Sequence, residues 1–103
     1  MVVIREVFHC KPGKVRPLVE KFLAMSKMSE KAGMGKFRVM TDVSGARYWT
    51  VVAEMEAESL AAFERMFAGE GQNEAQMKEM ERLMEGYHDL VDQGYREIYK
   101  IEG

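Results

Sequence analysis

From Ala46 the chain reads ARYWTVVAEMEAESLAAFERMF, and this stretch limits the possible folds more than any other. Residues 48–55 alternate apolar and polar groups as a half-buried strand does, and they run straight into a helix that opens at Ser59. The N-terminus repeats the arrangement: VVIREVFHC reads as a strand and enters a helix through Lys11-Pro12-Gly13-Lys14. Two strand-then-helix units in 103 residues predict a small α+β sandwich, with helices on one face of an antiparallel sheet. The other face of that sheet is left in need of a partner.

The length suits one domain over residues 1–103. Its 15 basic and 17 acidic residues are scattered, with no basic stripe, which argues against a nucleic-acid or anionic-membrane surface. The N-terminal apolar run meets a charge at Arg5, unlike a signal peptide, and no stretch approaches the length of a membrane span. Cys10 is the single cysteine, so no intrachain disulfide is possible and a cytoplasmic location is expected. The ten methionines are unusual. They read first as core filling and second as the lining of an adaptable pocket.

Punctuation and period supply the order of elements. Strand one covers 2–10, and a helix follows over 14–32 with Val15, Leu18, Val19, Phe22 and Leu23 on one face. Pro17 is tolerated in its first turn, and Gly33 and Gly35 end it. Strand two spans 36–43, a turn at 44–47 makes a hairpin, and strand three spans 48–56. Ser59 caps a helix expected to bury Leu60, Phe63 and Phe67 and to stop near Gly69 and Gly71. Asn73 with Gln76 forms an inexact capping box for a third helix, striped with Met77, Met80, Met84, Tyr87 and Val91 and ended by Gly94. Residues 95–101 read as the last strand. The sum is β-α-β-β-α-β with the second helical unit split in two, the ferredoxin-like order.

Alternation sends Trp49, Val51, Ala53 and Met55 toward the helices and Tyr48, Thr50, Val52 and Glu54 to the opposite face. Each large side chain buried under the helices contributes roughly 1.5–3 kcal/mol. Strand one, in register, adds Val3, Arg5, Val7 and His9 to the open face. That half-apolar face suits sheet-to-sheet pairing in a two-fold homodimer, with Arg5, His9, Tyr48 and Glu54 as its residues and an Arg5–Glu54 cross-strand ion pair.

Ile4-Arg5-Glu6, Lys11-Pro12-Gly13-Lys14 and the run from Val51-Val52-Ala53-Glu54 through Glu58-Ser59 to Phe63 together resemble the dimeric α+β barrel superfamily, near the antibiotic-biosynthesis-monooxygenase and NIPSNAP-like domains. The resemblance in element order covers nearly the whole chain. It implies a homodimer with facing sheets and a small-molecule pocket between each sheet and its helices. Members include cofactor-independent monooxygenases, heme-degrading monooxygenases, isomerases and proteins of no known activity, so fold does not settle function. Where the heme-degrading members have an asparagine this chain has Glu6, and where they have a tryptophan it has Met55. Their iron-ligating histidine has no counterpart, since His88 lies too far along. Where the monooxygenases often carry a histidine soon after strand three, this chain has Phe63 and Glu64. These departures argue against heme degradation and weaken the monooxygenase reading, and no cofactor is expected.

Glu6 is the leading chemical candidate. Sharing the helix-facing side with Ile4 and Phe8, its carboxylate is expected in an apolar pocket, where a raised pKa would suit proton abstraction. The structural alternative is a Glu satisfied by a Tyr or Arg. His88, at the edge of the third helix, is a second acid–base candidate, although such a residue is more often a solvated surface histidine. Phe8, Trp49, Val51, Met55, Met84 and Tyr87 are expected to line the pocket. His9 and Cys10, adjacent on a strand, point to opposite faces and cannot act as base and nucleophile. Two histidines and no HxH, HExxH or CxxC spacing give no metal site. The third strand lacks the basic-Gly-aromatic signature of RNA-recognition domains, which share this element order. The expected function is a small-molecule-binding homodimer, in particular a cofactor-independent monooxygenase of electron-rich aromatics with Glu6 as base. The alternative is a non-catalytic ligand-binding or interaction protein.

Overall fold

The computed structural model describes residues 1–69 and 73–103. Strands β1 (Val2–Cys10), β2 (Arg38–Thr41), β3 (Thr50–Ala57) and β4 (Val91–Lys100) form one sheet in the order β2-β3-β1-β4, every neighbour antiparallel. Helices α1 (Val15–Lys31), α2 (Leu60–Phe67) and α3 (Glu74–Leu83) complete an α+β, ferredoxin-like domain, with a 3-10 turn at Tyr87–Asp89 before β4. Its extents of 37 × 36 × 19 Å are those of a two-layer slab.

β1 occupies the centre because its alternating side chains serve both faces. Ile4 is 1% exposed beneath the helices, and Cys10 joins a core of Leu18, Val19 and Phe22 from α1 with Val51 and Ala53 from β3. The one buried polar group on α1, Ser26, is fully used: its hydroxyl donates to the Phe37 carbonyl at 3.0 Å and accepts from the Phe37 N–H at 3.1 Å. This double bond fastens the approach to β2 against the helix, as a buried hydroxyl requires. On the third strand, Val51 and Ala53 face the core as the alternation requires.

Several boundaries differ from the sequence reading. β2 is four residues long and β3 starts at Thr50, so a wide loop over 42–49 replaces the four-residue turn. Trp49 is its pivot, with φ of +60°, a left-handed conformation that is a genuine outlier for a bulky side chain. The loop is fastened at both ends: Cys10 N–H donates to the Trp49 carbonyl at 2.8 Å, and Thr50 N–H donates to Asp42 Oδ1 at 2.8 Å. Further out, Arg47 Nη1 donates to Gln93 Oε1 at 3.0 Å.

The helical unit between β3 and β4 also ends elsewhere. Ser59 caps α2 by accepting from Ala62 N–H at 3.1 Å, and Gly69 follows that helix with φ of +84°; Gly71 lies outside the described residues. Of the three apolar groups expected inside α2 only Phe63 is buried, while Leu60 and Phe67 are exposed. The Asn73–Gln76 capping box is formed in both directions, at 2.8 and 3.0 Å. α3 stops at Leu83, and Gly86 with φ of +81° redirects the chain into the 3-10 turn. Gly94 is not a helix end. It lies within β4 opposite Phe8, whose ring atoms come within 2.8 Å of where a Cβ would sit. Glycine is needed there because another side chain approaches its backbone closely.

The methionines do not fill the core. None of the ten is in the buried class: Met1 and Met77 are exposed, Met25 and Met84 pack against the core from outside, and five line the half-buried margin between helices and sheet.

Candidate functional site

That margin is a cavity of about 220 Å³ between sheet and helices. Ile4, Glu6, Ala53 and Met55 form its strand side, and the three helices close over it, α2 through Phe63, Met66 and Phe67. Half of the chain's methionines (Met25, Met34, Met55, Met66 and Met80) contribute to the lining. Flexible, polarizable thioethers with phenyl rings make a wall that adapts to an apolar guest.

Among the described residues Glu6 is the only charged side chain in this lining. It reaches the cavity because β1 alternates: Ile4, Glu6 and Phe8 point under the helices while Arg5 and Val7 point away. Directly across the ladder on β4 stands Arg96, whose Nε donates to Glu6 Oε1. The guanidinium lies 4.4 Å from the ring centre of Phe67 and 5.2 Å from that of Phe63, within cation–π range. The side chains of Glu6 and Arg96 are 27% and 35% exposed, so the pair sits in the wall of the site and still meets solvent. Of the two surroundings considered for Glu6, the structure gives the one in which an arginine meets its charge.

Beyond the pair runs a more polar groove along β4, lined by Phe8, Tyr87, His88, Asp92 and Arg96. Glu6 lines both spaces. The ion pair is thus the partition between an apolar cavity and a polar groove.

The structure brings Glu6 and Met55 to the cavity and leaves the other expected pocket residues outside its lining. Phe8 packs on Phe22 with centroids 5.4 Å apart and meets Tyr87 edge-on at 6.1 Å, which puts it in the groove wall. Val51 is fully buried in the core. Met84 and Tyr87 pack against that core, Tyr87 also facing the groove. Trp49, displaced by the left-handed turn, lines a separate shallow recess with Val15, Thr41, Asp42 and Tyr48. His88 stands in the 3-10 turn, past the end of α3, exposed and stacked 4.0 Å from Tyr87. Arg96 was not singled out in the sequence. Its alternation within YREIYKI is visible, but its partner depends on the β1–β4 register, which no local pattern discloses.

The open face of the sheet carries a second set of charges. Arg5 Nε lies 3.4 Å from Glu54 Oε2, Glu54 also pairs with Arg38, and Arg5 Nη1 approaches Glu97 Oε1 at 4.0 Å. Arg38, Glu54, Arg5 and Glu97 thus alternate in sign across β2, β3, β1 and β4. Tyr48 is not part of this face; it is 84% exposed in the 42–49 loop. His9 is buried, its Nδ1 3.2 Å from Thr50 Oγ1 and its ring 5.6 Å from that of Tyr95. Burial, and then the Arg47 charge, hold its pKa below that of an ordinary histidine. Cys10 points to the core instead, where burial, and then the charge of Asp92, push its thiol up.

Among the described residues no group of three or more His, Cys, Asp and Glu side chains is arranged to hold a metal ion, and no helix is long and apolar enough to cross a membrane. No protein-family model and no curated protein matches the chain. Solved structures do. A NIPSNAP-like domain protein from Burkholderia xenovorans, itself uncharacterized, superposes with a TM-score of 0.72 at 16% identity, over 97% of this chain and 84% of that one. A Deinococcus radiodurans protein provisionally assigned as an antibiotic biosynthesis monooxygenase gives 0.69 at 12% identity, over 100% and 94%. A Pseudomonas aeruginosa protein gives 0.63 at 13% identity, over 97% and 93%. At these identities the likeness is one of fold, and it is the fold expected from the sequence.

Proposed function

We propose that this chain, built on the fold shared by NIPSNAP-like and antibiotic-biosynthesis-monooxygenase-like proteins, is a small-molecule enzyme that oxygenates an electron-rich aromatic without a cofactor. The carrying observation is one carboxylate, Glu6, in the wall of a cavity whose other described lining residues, Met and Phe foremost, are uncharged. In such a site Glu6 removes a proton from an activated CH₂ or from the O–H of its enol tautomer, and both routes give the same anion. The resulting carbanion reduces O₂; one oxygen atom stays as a carbonyl and the other leaves as water, so R₂CH₂ + O₂ gives R₂C=O + H₂O. An apolar wall favours this chemistry, because it admits both O₂ and a flat substrate and keeps bulk water away from the carbanion.

The working unit in this reading is a homodimer, joined through the open face of the sheet. Val3, Val52, Tyr95 and Tyr99 on that face supply apolar area, and the alternating Arg38–Glu54–Arg5–Glu97 row supplies charges of both signs for a two-fold partner. The compartment consistent with this reading is the cytoplasm.

Oxygen uptake by protein freed of metals, with a panel of electron-rich hydroxyarenes, tests the activity. Uptake with one carbonyl formed per O₂ is expected, and Met55→Trp, which adds bulk at the cavity wall, should abolish it. A second reading, ligand binding without turnover, draws on the Glu6–Arg96 pair, since a carboxylate already matched by a guanidinium is also how a purely structural charge is held. Compounds that bind without any oxygen uptake would establish that reading.

A further inference from the structure

We infer that the Glu6–Arg96 pair is a counterion-exchange site for a weakly acidic phenol or enol: Glu6 takes the substrate's O–H proton, and Arg96 passes from Glu6 to the oxygen anion left behind. This inference rests on the small-molecule reading of the cavity and adds to it a substrate class and a role for Arg96.

The placement of the two charges carries it. Glu6 faces both the cavity and the groove, and Arg96 faces the groove. Among the described residues the guanidinium makes one hydrogen bond, from Nε to Glu6 Oε1. A guanidinium has five N–H donors, so its Nη edge retains donors for a second acceptor. The rings of Phe67 and Phe63 hold its plane in place, and both rings line the cavity. A base in the cavity wall and an anion-stabilising group in the adjoining groove therefore stand side by side, the arrangement that lets fixed charges act on a developing anion.

The same geometry selects the ligand's protonation state. A carboxylic acid arrives ionised and would bring a second negative charge to an arginine already shared with Glu6, in a cavity whose described lining holds no cation. A neutral phenol or enol enters without that cost. When its O–H bond breaks, the proton forms a bond to a Glu6 carboxylate oxygen and the electron pair stays on the substrate oxygen. Glu6 becomes neutral as the substrate becomes negative, so the site keeps one anion and one cation throughout. His88, Asp92, Tyr87 and Tyr95 are the other titratable groups of the groove; among the described residues Arg96 forms its ion pair with Glu6.

The test uses 4-nitrophenol, whose anion has its own visible band, and 4-nitroanisole, the methyl ether that cannot ionise. Both are titrated into the full chain at a pH below the free phenol's midpoint. In Glu6→Gln the guanidinium has lost its counter-charge, so the bound phenol should be enriched in phenolate by roughly tenfold or more over free solution, the effect of an adjacent opposite charge. Glu6→Gln combined with Arg96→Gln should remove that enrichment, and Glu6→Gln with Arg96→Lys should keep it. Bound 4-nitroanisole, which has no anion to form, should show no corresponding spectral change in any of them. If the ether binds but Glu6→Gln shows no phenolate enrichment, or the enrichment survives Arg96→Gln, the exchange role is wrong while the cavity reading stands. If neither probe binds any of the proteins, both are wrong.

Discussion

Glu6→Gln is expected to lower oxygenation by about 10² to 10⁴-fold while leaving the fold intact. The magnitude is that of removing a positioned general base. Gln keeps the size of the side chain and an oxygen that can accept from Arg96 Nε, so the partition between cavity and groove persists. The charge lost belongs to a pair that is 27% and 35% exposed, and partly solvated ion pairs contribute about 0–1 kcal/mol. Thermal unfolding should therefore move by a few degrees at most. Turnover that survives the change at full rate would make Glu6 a structural partner of Arg96 and nothing more. His88→Gln is the informative contrast. His88 is exposed and stacked on Tyr87, away from the apolar cavity, and its loss should cost far less activity.

Leu18→Ala should give the largest loss of stability, about 2–5 kcal/mol. Leu18 is 0% exposed and packs in the cluster that joins α1 to β1 and β3. Truncation there removes contact on every side, and two strands of a twisted sheet cannot close the gap. Against a typical total stability of about 5–15 kcal/mol, and roughly 4–8 °C per kcal/mol for a domain of this size, the melting temperature should fall by roughly 8–40 °C. Leu23→Ala supplies the control. Leu23 lies on the same helix but is 45% exposed, and exposed substitutions usually stay within about 0.5 kcal/mol. Equal losses from the two variants would mean that α1 does not pack as described.

The parts of this fold that were legible in the sequence are those fixed by local chemistry. Pro12-Gly13 and Gly33 through Gly35 bracket α1 to within a residue of its observed ends, because turn residues act on their own backbone. Alternation in β1 placed Glu6 and Ile4 on the helix side and paired Arg5 with Glu54 across the ladder. Ser59 and the Asn73–Gln76 box mark α2 and α3 for the same reason.

What escaped depends on contacts between distant residues. Trp49 was counted into β3 because aromatic residues favour strands, yet hydrogen bonds from Cys10 and around Asp42 hold the chain in a left-handed turn at that point. Gly94 looked like a helix terminator, and only the Phe8 ring lying over it explains a glycine inside β4. The methionines looked like packing because composition carries no position; the structure lines a cavity with half of them. Arg96 was invisible as a site residue for the same reason as Gly94. Its importance comes from a register with β1 that spans most of the chain.

Native mass spectrometry of the gently purified protein tests the central claim most directly. A homodimer carrying a releasable small molecule, mainly apolar with a single acidic hydroxyl, is the predicted result. That mass should be absent from Met55→Trp. A monomer at working concentration that takes up neither 4-nitrophenol nor 4-nitroanisole would contradict both the paired sheets and the cavity as a binding site.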